Sequence, residues 1–195
     1  MSKKPTKPAI EYRVIAGTLK GRIISVPDLG VTRPPLTRMR RAIFDFLMPY
    51  LPDARYLDLF SGTGSYLFEA VSRGAASVTG VELEERLVES IHASAARYGV
   101  NDRLTCWCGD VFKVIPTLAK RDRPFSLVMI APPQYQGLIT RTLVCLRENP
   151  IIDSGGLILC QHDSSETTEV DITGFELVQR REYGNTTYTI VRPPS

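Results

Sequence analysis

The chain has 195 residues, of which 43% are hydrophobic and 23% are charged, so it fits one globular domain with a substantial core. The sequence contains no stretch of about 18 apolar residues, which argues against a transmembrane helix, and its start lacks the apolar region of a signal peptide, so we expect a cytoplasmic protein. Residues 1–41 hold ten basic and two acidic residues, whereas the rest holds 14 and 19, and this asymmetry favours a polyanionic partner.

The first 50 residues are predicted to form an extension before the main domain. Residues 1–11 indicate a flexible basic tail. Residues 12–27 predict two short strands around a turn that contains Gly17 and Gly21, with a stop at Pro27. A helix is predicted from about residue 35 or 36. Its apolar face carries Met39, Ile43, Phe44 and Leu47, and its basic side carries Arg38, Arg40 and Arg41.

Strands and helices alternate from residue 51 to residue 195. The predicted strands are RYLDLF, ASVTGVE, DRLTCWCGD, FSLVMI and GGLILCQH, and the helices between them are YLFEAVSRG, EERLVESIHASAARYG, VFKVIPTLAKR and YQGLITRTLVCLREN. FELVQRREYGNTTYTIVR then predicts two strands around a YGN turn. This pattern favours an α/β, Rossmann-like fold with a mostly parallel seven-stranded sheet, to which the C-terminal hairpin adds an antiparallel edge.

The ends of the predicted strands carry the candidate ligand site, because ligands of such sheets bind beyond the carboxyl ends of the strands. Asp58 precedes a glycine loop in which Gly62 and Gly64 allow a tight turn and close approach to a ligand. Glu82 ends the next strand, 24 positions later, near the offset at which an acid binds ribose hydroxyls. Asp110 ends the third strand. Each acid alone is also typical of a strand-helix junction.

The glycine loop favours S-adenosylmethionine (AdoMet) over a dinucleotide. In the G-x-G-x-x-G register, Leu67 occupies the position of the third glycine, and Asp58 stands just upstream of the turn. AdoMet has no phosphate, and its ammonium suits a nearby acid. An oxidoreductase that binds NAD is the alternative from a different class.

Four cysteines, at positions 106, 108, 145 and 160, show no C-x-x-C spacing and are interpreted as structural thiols of a reducing compartment. No metal-ligand spacing and no Ser-His-Asp arrangement stands out, so we expect no metal. His92 and His162 are more typical of structural positions than of catalysis.

Several segments together resemble the RsmD family, bacterial methyltransferases that act on a guanine amino group in 16S ribosomal RNA. RVIAGTLKGRIISVP resembles the opening of that family, and TRPPLTRMRRAIFDFL resembles its RPT-x-DRVRE-x-LF helix start. LDLFSGTGSYLFEAVSRGA, followed by VELEERLVE, resembles its glycine loop, and WCGDVFKVI and YGNT also fit. The similarity runs from about residue 12 to residue 190. Thr37 and Arg41 depart from the family, which has Asp and Glu there.

The resemblance implies roles for particular residues. AdoMet would be held at its methionine end by Asp58, Gly62 and Gly64, at its ribose by Glu82 and at its adenine by Asp110. The predicted cofactor site also includes the neighbouring residues Phe60, Leu83 and Val111. The residues implied to face RNA are Arg13, Lys20, Arg22, Arg33, Arg38 and Arg40. The implied partner is ribosomal RNA or a small-subunit assembly intermediate, and we expect a monomer that flips its target base out of the stack.

The predicted catalytic segment departs from the family. Where the family has (D/N)PP(Y/F), this chain has a degenerate APPQ, and the candidate residues are Ala131, Pro132, Pro133, Gln134 and Tyr135. The lone pair of a guanine amino group is delocalised into the ring, and acceptors that bind its two N–H protons localise that lone pair. Ala131 has no side-chain oxygen, and loss of a positioned polar group commonly lowers the rate by about 10²–10³.

Three hypotheses remain open for this segment. In the first, Gln134 supplies the acceptor, Tyr135 stacks the base and the Pro132 carbonyl persists. In the second, the protein is a weak or inactive module that binds AdoMet and RNA. In the third, it methylates another nucleic-acid position or another substrate. The Pro-Pro pair is also compatible with a simple strand stop.

Overall fold

Strands and helices alternate along the chain, as predicted. The computed structural model describes residues 9–30, 35–121 and 123–194. Its strands are β1 (Ala9–Arg13), β2 (Ile23–Pro27), β3 (Arg55–Asp58), β4 (Ser77–Glu82), β5 (Leu104–Cys108), β6 (Phe125–Ile130), β7 (Ile152–Asp163), β8 (Glu176–Tyr183) and β9 (Thr186–Arg192). Its helices are α1 (Thr37–Leu47), α2 (Ser65–Ser72), α3 (Glu85–Arg97), α4 (Val111–Ala119) and α5 (Leu138–Glu148). Short 3₁₀ helices cover Met48–Tyr50 and Ser164–Glu166.

The central sheet confirms the predicted fold class. Its seven strands lie in the order β5-β4-β3-β6-β7-β9-β8. The strands from β5 to β7 pair in parallel, whereas β9 pairs antiparallel with both β7 and β8. A turn at Gly184 and Asn185 joins β8 to β9, and the positive φ of 62° at Gly184 suits glycine. Among the described residues, no helix combines the length and apolar character needed to cross a bilayer.

Both faces of the sheet are covered, because successive side chains of each strand point to opposite sides. On one face, β1, β2 and α1 to α3 bury residues such as Ile24, Phe44 and Ile91. On the other face, α4 and α5 bury residues such as Ile115 and Leu143. The sheet is therefore the middle of three layers, and its strand ends remain available for a ligand.

The N-terminal hairpin packs on α2 through hydrogen bonds that its backbone N–H groups donate to side chains of that helix. The N–H of Ile15 donates to Glu69 Oε1 at 2.8 Å, and the N–H of Leu19 donates to Ser72 Oγ at 2.9 Å. Gly17 has a φ of 82°, and a Cβ at this position would lie 1.9 Å from the Ser72 carbonyl oxygen. Only glycine therefore permits this approach.

The strand β1 begins earlier than the predicted hairpin. Ala9 pairs with Pro27, so residues 9–11 belong to a strand rather than to the flexible tail predicted for residues 1–11. Residues 1–8 lie outside the described residues. Tyr12 and Leu47 share one apolar core with the main domain, so packing is continuous across the boundary predicted near residue 50.

The prediction that Arg40 faces RNA is wrong. Its side chain is 1% exposed, donates to the Arg13 carbonyl at 2.7 Å and lies 3.3 Å from Glu69 Oε1. Position 40 is four residues before Phe44, so on a helix it lies on the apolar face rather than on the basic side. A buried guanidinium must be paired, and Glu69 of α2 supplies that partner.

Candidate active site

The carboxyl ends of β3 and β6 lie at the switch point of the sheet. From β3, the sheet continues through β4 and β5 on one side and through β6 and β7 on the other. Open α/β sheets bind ligands at such a point, beyond the carboxyl ends of the strands. Asp58 of β3 pairs in register with Met129 of β6. The glycine loop after β3 and the Pro-Pro segment after β6 therefore emerge side by side.

Asp58 is a buried carboxylate with one unsatisfied oxygen. Its side chain is 1% exposed, and its Oδ1 accepts the N–H of Phe60 at 3.3 Å. Its Oδ2 is buried and has no hydrogen-bond partner among the described residues. Burial raises the pKa of Asp58 to about 7; the Phe60 N–H opposes that rise, and the charge of Glu82 adds to it. A cationic donor would satisfy this oxygen, and the ammonium of AdoMet is such a group.

Glu82 ties the glycine loop to the end of β4. Its Oε2 accepts the Gly62 N–H at 2.7 Å, and its Oε1 accepts the N–H groups of Leu83 and Glu84 at 2.8 and 3.0 Å. A carboxylate offers about four acceptor sites, so it retains capacity for a ribose hydroxyl. Glu82 therefore links the glycine loop to the end of β4 by hydrogen bonds.

The glycine loop is also held by the N-terminal hairpin. Gly62 and Gly64 have φ values of 50° and 75°, and Gly64 is the N-cap of α2. A Cβ at Gly64 would lie 2.8 Å from Ile91 Cγ1. The hydroxyl of Tyr12 donates to the Thr63 carbonyl at 2.9 Å. No local sequence pattern predicts this role of Tyr12, because the contact joins residues 51 positions apart.

The remaining predicted cofactor residues occupy different environments. Asp110 is the N-cap of α4, where its Oδ1 accepts the Phe112 N–H at 2.9 Å. Leu83 is 68% exposed beside Glu82, and Phe60 is half-buried, so both offer apolar surface. Val111 is buried in the core that α4 forms with the sheet. The structure thus brings Asp58, Glu82 and Asp110 to the ends of three neighbouring strands.

The Pro-Pro segment leaves the sheet directly after β6. Ala131 is half-buried against the apolar core, and Pro132 is buried. Gln134 is exposed and lines a small pocket with Pro132 and Pro133. Tyr135 is 67% exposed, has a φ of 60° and donates its N–H to Glu166 Oε1 at 2.9 Å. The segment therefore presents polar and aromatic side chains but no carboxylate or carboxamide at position 131.

A buried polar cluster that was not predicted from the sequence lies next to this segment. The Tyr66 hydroxyl lies 2.6 Å from Gln161 Oε1 and 2.7 Å from the Tyr188 hydroxyl. The Tyr188 hydroxyl lies 3.1 Å from the same oxygen of Gln161. Two signals were present in the sequence: Tyr66 follows Gly64 by two positions, and Gln161 is a polar residue near the end of a predicted strand.

The residues predicted to face RNA do not share one surface. Arg13, Lys20 and Arg38 are exposed, and Arg13 and Lys20 border an open groove together with Arg41. Arg22 borders a different surface, where its guanidinium lies 5.7 Å from the centre of the Tyr98 ring. Arg33 lies outside the described residues.

The described residues contain no cluster of three or more His, Cys, Asp or Glu side chains arranged to hold a metal ion. The four cysteines are free thiols, and Cys106 and Cys160 are buried. Burial raises the pKa of the Cys106 thiol to about 12. His92 is structural, since its Nε2 accepts the Cys106 N–H at 3.0 Å.

Known proteins are similar to this chain in sequence and in fold. Ribosomal RNA small subunit methyltransferase D of Escherichia coli K12 is 27% identical over 184 residues, which are 92% of this chain and 89% of that protein. The solved structure of the Escherichia coli protein yhhF has a TM-score of 0.80 at 26% identity, covering 95% of this chain and 99% of that one. An RNA methyltransferase of Salinibacter ruber, solved with S-adenosyl-L-homocysteine, has a TM-score of 0.64 at 16% identity, covering 84% and 95%.

A family model described as conserved hypothetical protein 95 matches residues 12–192. The match spans the hairpin, the glycine loop and the Pro-Pro segment, and the sheet is that of Rossmann-like methyltransferases. The chain therefore belongs to this family, the RsmD family of methyltransferases.

Proposed function

We propose that the chain is an AdoMet-dependent methyltransferase that modifies the exocyclic amino group of a guanine in small-subunit ribosomal RNA. The observation that carries the proposal is the unpaired, buried Oδ2 of Asp58, on the strand that precedes the glycine loop and pairs with the strand that precedes the Pro-Pro segment. The Escherichia coli relative is named for methylation of small-subunit ribosomal RNA, which supports the choice of RNA.

The residues at the strand ends fit AdoMet by their chemistry. Asp58 would take the ammonium, Glu82 a ribose hydroxyl, and Leu83 and Asp110 the adenine. When bound, AdoMet supplies an electrophilic methyl group. A dinucleotide fits less well, because a buried acid at this loop would repel a pyrophosphate.

The Pro-Pro segment would prepare the amine. A guanine amino group becomes nucleophilic when acceptors hold its N–H protons and its lone pair is freed from the ring. The Pro132 carbonyl would be one acceptor, since proline keeps its C=O. The amide oxygen of Gln134 would be the other, and the exposed ring of Tyr135 would stack the base.

The exposed basic residues of the N-terminal hairpin and of α1 would bind RNA phosphates. Arg13, Lys20 and Arg41 border one groove, so they would act as a set, while Arg38 is exposed on the same helix as Arg41. Each neutralised phosphate releases counterions, and this makes binding sensitive to salt.

A second candidate is a weak or inactive protein that still binds AdoMet and RNA. The methyl side chain of Ala131 favours it, because no side-chain oxygen stands at that position.

The first test measures the affinity of the protein for AdoMet by calorimetry. The second measures transfer of a tritiated methyl group from AdoMet to small ribosomal subunits that have not been methylated. We expect binding and transfer. Gln134→Ala should lower the transfer rate by about 10² or more and leave AdoMet affinity unchanged. Gln136→Ala, at a neighbouring exposed position, is the matched control and should behave as the wild type.

The outcomes separate the candidates. Binding without transfer by the wild-type protein supports the inactive candidate. Absence of AdoMet binding would overturn the cofactor assignment. Equal transfer by Gln134→Ala and the wild type would remove Gln134 from the mechanism.

A further inference from the structure

Gln161 lies beside the point where the Pro-Pro segment leaves the sheet. Ile130, the last residue of β6, pairs in register with Cys160 of β7, so Ala131 directly after β6 and Gln161 of β7 each follow this pair by one residue. Ala131 packs against the core that contains Tyr66 and Tyr188, and the amide of Gln161 contacts the hydroxyls of those two tyrosines. Ala131 has no side-chain oxygen, and Gln161 therefore provides a polar side chain beside this position.

The carbonyl branch of the Gln161 amide faces the two tyrosines. The hydroxyls of Tyr66 and Tyr188 both donate to Gln161 Oε1, and burial raises the pKa of both phenols, which keeps them protonated. Both hydroxyls lie at Oε1, at 2.6 and 3.1 Å, which places the carbonyl branch toward the core. The NH₂ branch of the planar amide consequently points away from the two hydroxyls.

Gln161 is a neighbour of the Pro-Pro segment. Gln161 is half-buried and lines the small pocket that Pro132, Pro133 and Gln134 also line. The structure gives the Nε2 of Gln161 no hydrogen-bond partner among the described residues, whereas Oε1 has two close hydroxyls. An oriented donor with no internal partner is suited to a ligand.

We propose that Gln161 is a substrate-binding residue that donates an N–H to the ring of the target base, and this rests on the function proposed above. In guanine, the ring atoms beside the amino-bearing carbon are N1, which carries a proton, and N3, which does not. A donor placed next to the reacting amine therefore meets N3. Gln161 holds the base in place while Pro132 and Gln134 accept the amine protons.

The substitution Gln161→Glu tests the donor specifically. A carboxylate keeps the shape of the side chain and still accepts from both tyrosines, but it has no N–H. We expect Gln161→Glu to lower kcat/KM for small ribosomal subunits by about 10- to 100-fold above its own pKa, with AdoMet affinity and Tm unchanged. The activity of Gln161→Glu, as a fraction of wild-type activity at the same pH and at saturating AdoMet, should recover as pH falls, because the protonated carboxyl again offers a donor.

Three further measurements complete the test. Gln161→Leu should lose activity at every pH, while Gln179→Glu, the same change at an exposed position of β8, should match the wild type. Binding of small-subunit ribosomal RNA in the presence of S-adenosyl-L-homocysteine should weaken about tenfold or more in Gln161→Glu. This binding step decides the role of Gln161 even when no methyl transfer occurs.

Each outcome has a defined meaning. If the wild-type protein binds RNA but transfers no methyl group, the proposed function is contradicted. In that case the RNA affinity of Gln161→Glu, compared with that of the wild type, still decides whether Gln161 binds the substrate. Activity and RNA binding of Gln161→Glu equal to the wild type would overturn the inference. A pH-independent loss accompanied by a lower Tm or weaker AdoMet binding would also overturn it, since that pattern marks a structural role.

Discussion

Two effects act in opposite directions on the charge of Asp58: burial favours the neutral carboxyl, and a cationic ligand would favour the carboxylate. Burial disfavours its charged form and raises its pKa to about 7, from a usual value of 3.8. A cationic ligand would favour the charged form, and Oδ2 has no other partner among the described residues. The ligand-free protein therefore carries a destabilised carboxylate, which is typical of functional sites.

We predict that AdoMet affinity rises with pH up to about 7, because the ammonium binds the ionised carboxylate. The apparent Kd should increase by up to about tenfold for each pH unit below the pKa. Asp58→Asn should weaken binding by about 10- to 100-fold and flatten this dependence. Calorimetry between about pH 5 and pH 8 measures both effects, with exposed Asp102→Asn as the control.

The stability of the ligand-free protein should move in the opposite direction. Between pH 3.8 and about 7, Asp58 keeps its proton in the folded state and loses it in the unfolded state. The contribution of Asp58 to the free energy of unfolding therefore falls as pH rises through that range. Asp58→Asn should reduce this fall in Tm. A pH profile of AdoMet binding that is unchanged in Asp58→Asn would contradict the assignment.

At the element scale, the N-terminal hairpin and α2 form one unit with the glycine loop. Gly17 and Leu19 lie against Ser72 at the end of α2, and Tyr12 reaches Thr63 before its start. The Arg40–Glu69 ion pair links α1 to the same helix. The element predicted to face RNA is therefore in direct contact with the element predicted to hold AdoMet.

Gly17→Ala should destabilise this unit more than Gly21→Ala does. Both glycines have φ near 80°, so both substitutions strain the backbone by about 1–2 kcal/mol. At Gly17 the added Cβ also meets the Ser72 carbonyl at 1.9 Å, whereas at Gly21 no atom lies within 4 Å. We expect an additional loss of about 2 kcal/mol or more at Gly17. Urea unfolding of both variants measures the difference, and equal midpoints would contradict the close packing.

At the scale of the whole molecule, charge is separated along the chain. Ten of the 24 basic residues lie within residues 1–41, and 19 of the 21 acidic residues lie beyond them. The structure places the hairpin and α1 on one face of the sheet and α4 and α5 on the other. One face is therefore the candidate RNA interface.

The paired substitution Lys20→Ala and Arg41→Ala should weaken RNA binding and make it less sensitive to salt. Each phosphate contact adds about one unit to the slope of log K against log salt, so the slope should fall by about two. Lys120→Ala, at the end of α4, provides the control on the opposite face. Titrations of small-subunit ribosomal RNA at several salt concentrations measure the slope, and an unchanged slope would exclude this groove as the interface.

The fold class and the candidate cofactor residues can be predicted from the amino-acid sequence alone. Both depend on local signals: apolar periodicity separates strands from helices, and Gly62, Gly64 and the acids Asp58 and Glu82 mark the ends of strands. These signals act over a few residues, so they can be read without knowing what each element packs against. The start of β1 does not follow from local signals, because residues 9–11 become a strand only by pairing with β2 in the fold.

Only the tertiary structure decided how distant residues combine. Arg40 belongs to a helix with basic residues, yet its burial depends on Glu69 in another helix. Tyr12 contacts Thr63 across 51 positions, and Gln161 contacts Tyr66 across 95. No local pattern encodes such pairs, because they arise from sheet order and register. The polar cluster beside the Pro-Pro segment therefore becomes visible only when β6, β7 and β9 lie side by side.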